Sequence, residues 1–131
     1  MEENIKILII EDNPGDAYLI EDHLEEFANF SFELVFVETL NEALSVLKTQ
    51  VFNLILSDIS LPDSDGINTF FRIHNENPLI PIIILSGSNE EIFGSYVKKE
   101  GAYDFFIKGQ TEDRLLNSIM ECSLEQKIQQ K

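Results

Sequence analysis

Five short apolar runs alternate along the chain with segments whose apolar residues recur at helical spacing, and this alternation constrains the fold more than any other feature. The runs, broken only at Lys6, Glu33 and Asp104, are Ile5 to Ile10, Phe32 to Val37, Leu54 to Leu56, Pro81 to Leu85 and Tyr103 to Ile107. Strand, helix, strand in this order calls for a parallel sheet covered by helices on both faces. No linker or low-complexity tract interrupts the pattern, so 131 residues with 44% hydrophobic content read as one domain with one real core.

The intervening segments carry their own start and stop signals. Asn13 and Pro14 supply an amide N-cap and a proline at the first helical position. Ala17, Ile20, Leu24 and Phe27 then form an inward stripe, opposite a solvated face of Glu21, Asp22, Glu25 and Glu26. Thr39 and Glu42 make a capping box ahead of the stripe Leu40, Ala43, Leu44 and Leu47. Ile67, Phe70, Phe71 and His74 mark a third helix that Asn77-Pro78 ends. Ser88 with Glu91 is a second capping box, opening a helix with Ile92, Phe93, Tyr96 and Val97 that Gly101 terminates. From about Thr111 a last helix places Leu115, Leu116, Ile119, Met120 and Leu124 on one side.

Four of the five runs end in a residue able to do chemistry: Glu11 with Asp12, Asp58, Ser86, and Lys108. In a parallel sheet all of these reach the same edge, the one where ligands collect. Singly, each has a plain structural reading, as a cap, a turn serine or a solvated lysine. Their agreement across four strands is what carries weight. Three carboxylates brought together raise one another's pKa, and a hard divalent cation relieves the conflict, Mg2+ being the usual choice beside phosphate. Asp58 could then attack phosphorus as a carboxylate nucleophile, with Lys108 and the Ser86 hydroxyl stabilising the phosphoryl oxygens. After Asp58 the segment Pro62, Asp63, Ser64, Asp65, Gly66 can close a tight loop.

On these residues the sequence resembles the receiver domain of two-component response regulators, from Ile5 to about Ser123. The resemblance implies a flavodoxin-like, CheY-like fold: one doubly wound five-stranded parallel sheet of order 2-1-3-4-5 with five helices, an order taken from the family. It implies that Asp58 is the phosphoacceptor, that Asp12, Asp58 and the backbone carbonyl of Ser60 hold Mg2+ with Glu11 acting through water, and that Ser86 and Lys108 bind the phosphoryl group. Phe105, three residues before Lys108, falls where the family keeps a rotating aromatic; as an aromatic on a strand it could equally be core. Pro62 and Gly66, four and eight residues after Asp58, match the family's loop.

The implied activity is transfer of a phosphoryl group from a sensor histidine kinase or phosphotransfer protein to Asp58, in a signalling switch rather than a metabolic enzyme. The downstream partner is unknown from sequence; a homodimer through the fourth helix, fifth strand and fifth helix is one option. The receiver would occupy residues 1–124, and residues 125–131 would be a helical extension or the start of a linker, where Leu124 and Ile128 could begin a seam. Two positions depart from the family. Gly109 replaces a proline that often follows a cis bond, so a trans Lys108-Gly109 peptide is predicted, cis costing about 2.5 to 4 kcal/mol without proline. Phe105 stands where tyrosine is common.

Composition and motifs argue against other functions. A net charge of -15 opposes nucleic acid or an anionic membrane as partner, and suits a basic surface or bound cations. A single cysteine, Cys122, excludes an intrachain disulfide, and its helix-spaced apolar neighbours predict a packed thiol. With no basic leader and no run of membrane-spanning length, the chain reads as soluble and cytoplasmic. A flavin site would need a glycine- and hydroxyl-rich loop where EDNPGD stands, no P-loop is present, and a calcium loop would begin at Leu61 and end at Arg72. His23 and His74 have no ligand partner at metal spacing and read as surface or boundary residues. Five strands exclude a helical phosphotransfer bundle. A pseudo-receiver, an unphosphorylated interaction module, is the rival reading, but such domains usually lose the acceptor, the acidic pair or the lysine, all kept here.

Overall fold

The computed structural model describes residues 4–87, 91–109 and 112–129. Strands β1 (Ile5–Ile10), β2 (Phe32–Val37), β3 (Leu54–Asp58), β4 (Ile82–Ser86) and β5 (Asp104–Ile107) form one parallel sheet of order β2-β1-β3-β4-β5. Helices α1 (Pro14–Phe27), α2 (Leu40–Thr49), α3 (Ile67–Glu76), α4 (Glu91–Lys99) and α5 (Glu112–Gln129) connect or follow them. The expected fold class and strand order are both found. β4 and β5 begin one residue later than the apolar runs Pro81 and Tyr103 suggested.

Strand alternation divides the core into two layers. Leu8, Ile10, Ile55, Ile82 and Ile84 face Leu40, Ala43 and Leu44 of α2, Phe70 and Ile73 of α3 and Val97 of α4. Ile5, Ile7, Ile9, Leu54, Leu56, Ile83 and Leu85 face Leu24 of α1 and Leu116, Ile119 and Cys122 of α5. Because β1, β3 and β4 are covered on both sides, their sequences are apolar without alternation, Lys6 near the start of β1 excepted. Burying one such leucine or isoleucine contributes about 1.5 to 3 kcal/mol.

The helix ends follow local chemistry. Asn13 Oδ1 accepts from the Gly15 and Asp16 amides at 2.8 and 3.1 Å, with Pro14 at the first position of α1. At the end of α4, Gly101 adopts φ 122°; its amide donates to Lys98 O and that of Ala102 to Val97 O, the paired bonds of a Schellman cap. The capping box at Thr39 is only half as expected. Thr39 Oγ1 accepts from the Glu42 amide, but the Glu42 carboxylate meets the Thr39 hydroxyl instead of its amide. The other two free amides of the α2 start, Leu40 and Asn41, donate to Asp63 Oδ1 and Oδ2 at 2.8 and 2.9 Å. The box predicted at Ser88 and Glu91, the start at Thr111 and the side chain of Ile128 lie outside the described residues.

Three expectations need correction. Phe27 does not join the inward stripe: it is the last residue of α1, 53% exposed, and its ring lies tilted at 4.9 Å from that of His23, while Ala28 and Phe30 pack against the core after the helix has ended. Glu21, assigned to the solvated face, is half-buried. The segment after Asp58 is more than a loop: Ser60–Leu61 and Ser64–Asp65 pair as a small antiparallel hairpin, closed by Gly66 N to Ile59 O at 3.0 Å, with Gly66 at φ 68° where a side chain is disfavoured. Among the described residues no peptide is cis, so Lys108-Gly109 is trans as predicted.

Candidate functional site

The sheet's register brings the strand ends to one level. Ile10 lies opposite Ser57, Asp58 opposite Leu85 and Ser86 opposite Ile107, so the residue that follows β1 and the end of β4 flank the end of β3, with the residue that follows β5 one strand further on. Main-chain bonds from Glu11 N to Val37 O and from Lys108 N to Ser86 O extend the ladder one residue beyond each strand. Glu11, Asp58 and Ser86 are buried there, and Asp12 is exposed at the rim.

Carboxylate oxygens of Glu11, Asp12 and Asp58 lie within 4.8 Å of one another, a hard-donor group able to hold a metal ion. Lys108 enters this group from β5. Its Nζ donates to Asp58 Oδ2 at 2.8 Å and to Asp16 Oδ2 at 3.0 Å, and forms an ion pair with Glu11 Oε1 outside hydrogen-bond geometry. The remaining oxygens are met by main chain: Asp58 Oδ1 accepts from Ser60 N and Glu11 Oε2 from Asn13 N, both at 3.2 Å.

The electrostatics follow from that packing. Burial first, and the charge of Asp58 after it, push the Glu11 carboxyl up to about 7 against the lowering effect of Lys108 and the Asn13 amide. Burial by itself would lower the Lys108 pKa, but the hydrogen bonds to Asp58 and Asp16 and the ion pair with Glu11 outweigh it and hold the ammonium charged above the usual lysine range. A single ammonium among so many carboxylates leaves the pocket anionic, which favours a divalent cation.

Phe105 lies one element away, half-buried on β5, its ring 5.9 Å from that of Phe93. It presses on Gly94 so closely that a Cβ at Gly94 would come within 2.6 Å of its ring. Beside it Asp104 joins three elements: Ser118 Oγ of α5 donates to its Oδ2 at 2.8 Å, and Lys98 of α4 pairs with its Oδ1 at 3.6 Å. Fold and register thus bring together every predicted site residue except Phe105, which sits on the adjoining α4-β5-α5 face.

Sequence reasoning missed Asp16 and Asp63. Asp16 stands in the first turn of α1, three residues after the Asn13 cap, and only the packing of α1 beside α5 on one face of the sheet brings it to Lys108. Asp63, read from sequence only as part of the loop after Asp58, caps α2, and its two amide bonds hold its carboxyl below the usual range. His23, half-buried, lines a cavity between α1 and α5 that reaches Glu11, Asp16 and Lys108, so it is nearer the acidic edge than its place in the sequence suggests. His74 is a boundary residue as predicted, stacked on Phe70 at 5.1 Å. Cys122 is packed as predicted, 2% exposed, and burial pushes its thiol up to about 12.

Comparison with known proteins gives concordant matches. Residues 7–120 match the family model described as the response regulator receiver domain. The transcriptional regulatory protein ZraR of Escherichia coli (strain K12) is 28% identical over 113 residues, covering 86% of this chain and 25% of ZraR. The chain therefore spans about a quarter of the length of that curated relative. A CheY-like response regulator receiver domain protein from Methanospirillum hungatei JF-1 superposes with a TM-score of 0.79 at 27% identity, over 97% of this chain and 99% of that one. The phosphorylated cyanobacterial phytochrome response regulator RcpA does so with a TM-score of 0.72 at 27% identity, over 88% of each chain.

Proposed function

The chain belongs to the response regulator receiver family, and from that premise we propose that it is a Mg2+-assisted phosphoacceptor whose Asp58 takes a phosphoryl group from the phosphohistidine of a sensor kinase or phosphotransfer protein. The observation that carries this reading is the setting of Asp58: buried at the end of β3, within reach of Glu11 and Asp12, and bonded at 2.8 Å to Lys108. RcpA, of similar fold, is known in a phosphorylated form.

In the transfer, an Asp58 carboxylate oxygen attacks phosphorus; the P–N bond breaks, its electron pair returns to the imidazole, and an acyl phosphate remains on Asp58. Lys108 supplies a fixed positive charge for the phosphoryl oxygens, and Ser86, buried at the end of β4, supplies a hydroxyl. Asp12, Asp58 and the Ser60 carbonyl would hold Mg2+, with Glu11 acting through water, and the bound cation would neutralise the carboxylates and the incoming phosphoryl charge. In hydrolysis a water oxygen attacks phosphorus, the bond from phosphorus to the Asp58 oxygen breaks with its electron pair returning to the carboxylate, and inorganic phosphate leaves as the water's proton passes to solvent. The domain acts as a switch: when Ser86 turns to the phosphoryl group, Phe105 leaves its place against Gly94 and alters the α4-β5-α5 face, a shift between two states limited in size by the differential affinity of those contacts. That face, where Asp104 links Lys98 and Ser118, is the surface through which a second copy or an output partner would engage.

We assign residues 1–124 to the receiver and 125–131 to a helical extension or the start of a linker; the 60% exposure of Leu124 supports that boundary. The functional test is labelling by a small acyl phosphate donor. The wild type should be labelled only with Mg2+ present, and Asp58→Asn should not be labelled. Labelling of that variant, or in excess chelator, overturns the acceptor or metal assignment, and a wild type that resists labelling altogether favours the pseudo-receiver.

A further inference from the structure

The Lys108 ammonium has three protons and, in this structure, three carboxylate neighbours: Asp58, Glu11 and Asp16. Asp58 and Glu11 belong to the acid group at the sheet edge. Asp16 does not. It is 92 residues from Lys108 in sequence, is carried by the first turn of α1, and its side chain is 35% exposed. Its amide is bonded to the Asn13 side chain at 3.1 Å, so the backbone that carries the carboxylate is held by the helix cap.

We infer that Asp16 is a positioning residue that holds Lys108 toward α1 in the resting domain and competes with the phosphoryl group for the same ammonium. The inference rests on the phosphoacceptor reading above. When Asp58 is acylated its carboxylate charge is replaced by the phosphoryl charge, and Lys108 must redirect its donors toward the new oxygens. A proton held by Asp16 at 3.0 Å is withheld from that interaction, and the Asp16 carboxylate also places a like charge beside the phosphoryl oxygens. Asp16 therefore weakens the domain's hold on a phosphoryl group while keeping Lys108 ordered before the group arrives. The half-exposed setting limits the effect, since solvent screens a pair of this kind.

The test compares Asp16→Asn with Asp22→Asn, which removes the same charge from an exposed position of the same helix. In the metal-free domain, the 15N resonance of Lys108 Nζ should move in Asp16→Asn and stay in place in Asp22→Asn. This arm needs neither metal nor phosphoryl group. With Mg2+ and beryllofluoride as the phosphoryl mimic, Asp16→Asn should bind the mimic about 3- to 10-fold more tightly than wild type, a range set by partly exposed ion pairs. Asp22→Asn should match wild type. Unmoved Lys108 Nζ, equal affinities in the two variants, or weaker binding by Asp16→Asn overturns the inference. A wild type that binds no beryllofluoride while Lys108 Nζ still responds to Asp16→Asn removes the competition and points to failure of the phosphoacceptor reading, with the resting contact intact.

Discussion

Gly94→Ala probes the contact on which the proposed switch depends. An added Cβ would lie 2.6, 3.0 and 3.1 Å from Cδ1, Cε1 and Cγ of Phe105. Carbon atoms in contact normally sit about 3.5 to 4.0 Å apart, so the ring or the helix must yield by about 1 Å. Overpacking of this kind costs about 1 to 3 kcal/mol, whereas replacing glycine by alanine inside a helix contributes about 1 kcal/mol of stability. Taking the middle of the first range, the variant should be less stable by about 1 kcal/mol, or about 3 to 5 °C in melting temperature for a domain of this size. In a Phe105→Ala background the obstruction is gone and only the helix gain remains, so the same substitution should stabilise by about 1 kcal/mol. The double-mutant cycle, followed by urea unfolding with circular dichroism, should give a coupling near 2 kcal/mol. Equal effects of Gly94→Ala in both backgrounds would refute the argument, because they would mean that Phe105 does not rest against α4.

Other outcomes follow from single contacts. Glu11 has a folded pKa raised from 4.5 to about 7, so its contribution to stability is full below about pH 4.5 and lost as pH rises through 7; in metal-free protein, melting temperature against pH should show a fall across that window that Glu11→Gln removes. Asp63→Ala removes the acceptor for the Leu40 and Asn41 amides and should cost about 1 kcal/mol, as N-cap losses do. Because the Asp63 pKa is depressed in the fold, that loss should be complete above about pH 4 and should vanish as the pH falls through the folded value in a parallel pH series. Deleting the residues after Gln126 should leave melting temperature and acyl phosphate labelling nearly unchanged; a drop of several degrees would show that the segment packs on the domain.

The sequence by itself determined the parts of this protein that depend on local chemistry and on period. The apolar runs of β3 and β4, and that of β1 broken only at Lys6, could be satisfied only by burial on both faces, so the covered parallel sheet was legible in the sequence. The Asn13-Pro14 start of α1 and the Gly101 stop of α4 were legible because each needs only its own few residues to form. The strand-end residues could be grouped because, once the strands are parallel, their carboxyl ends share an edge. Tertiary structure decided everything set by distance between segments far apart in the chain. Asp63 reads locally as a loop acid, and it became the cap of α2 because the hairpin after β3 folds back over that helix start. Phe27 has the correct helical phase for the core, but α1 ends there and the core is met instead by Ala28 and Phe30. Asp16 looks like an ordinary first-turn acid, and it reaches Lys108 only because α1 packs beside α5 on one face of the sheet. Helical phase specifies which way a side chain points, whereas the partner it meets depends on how the elements pack, and no single segment carries that information.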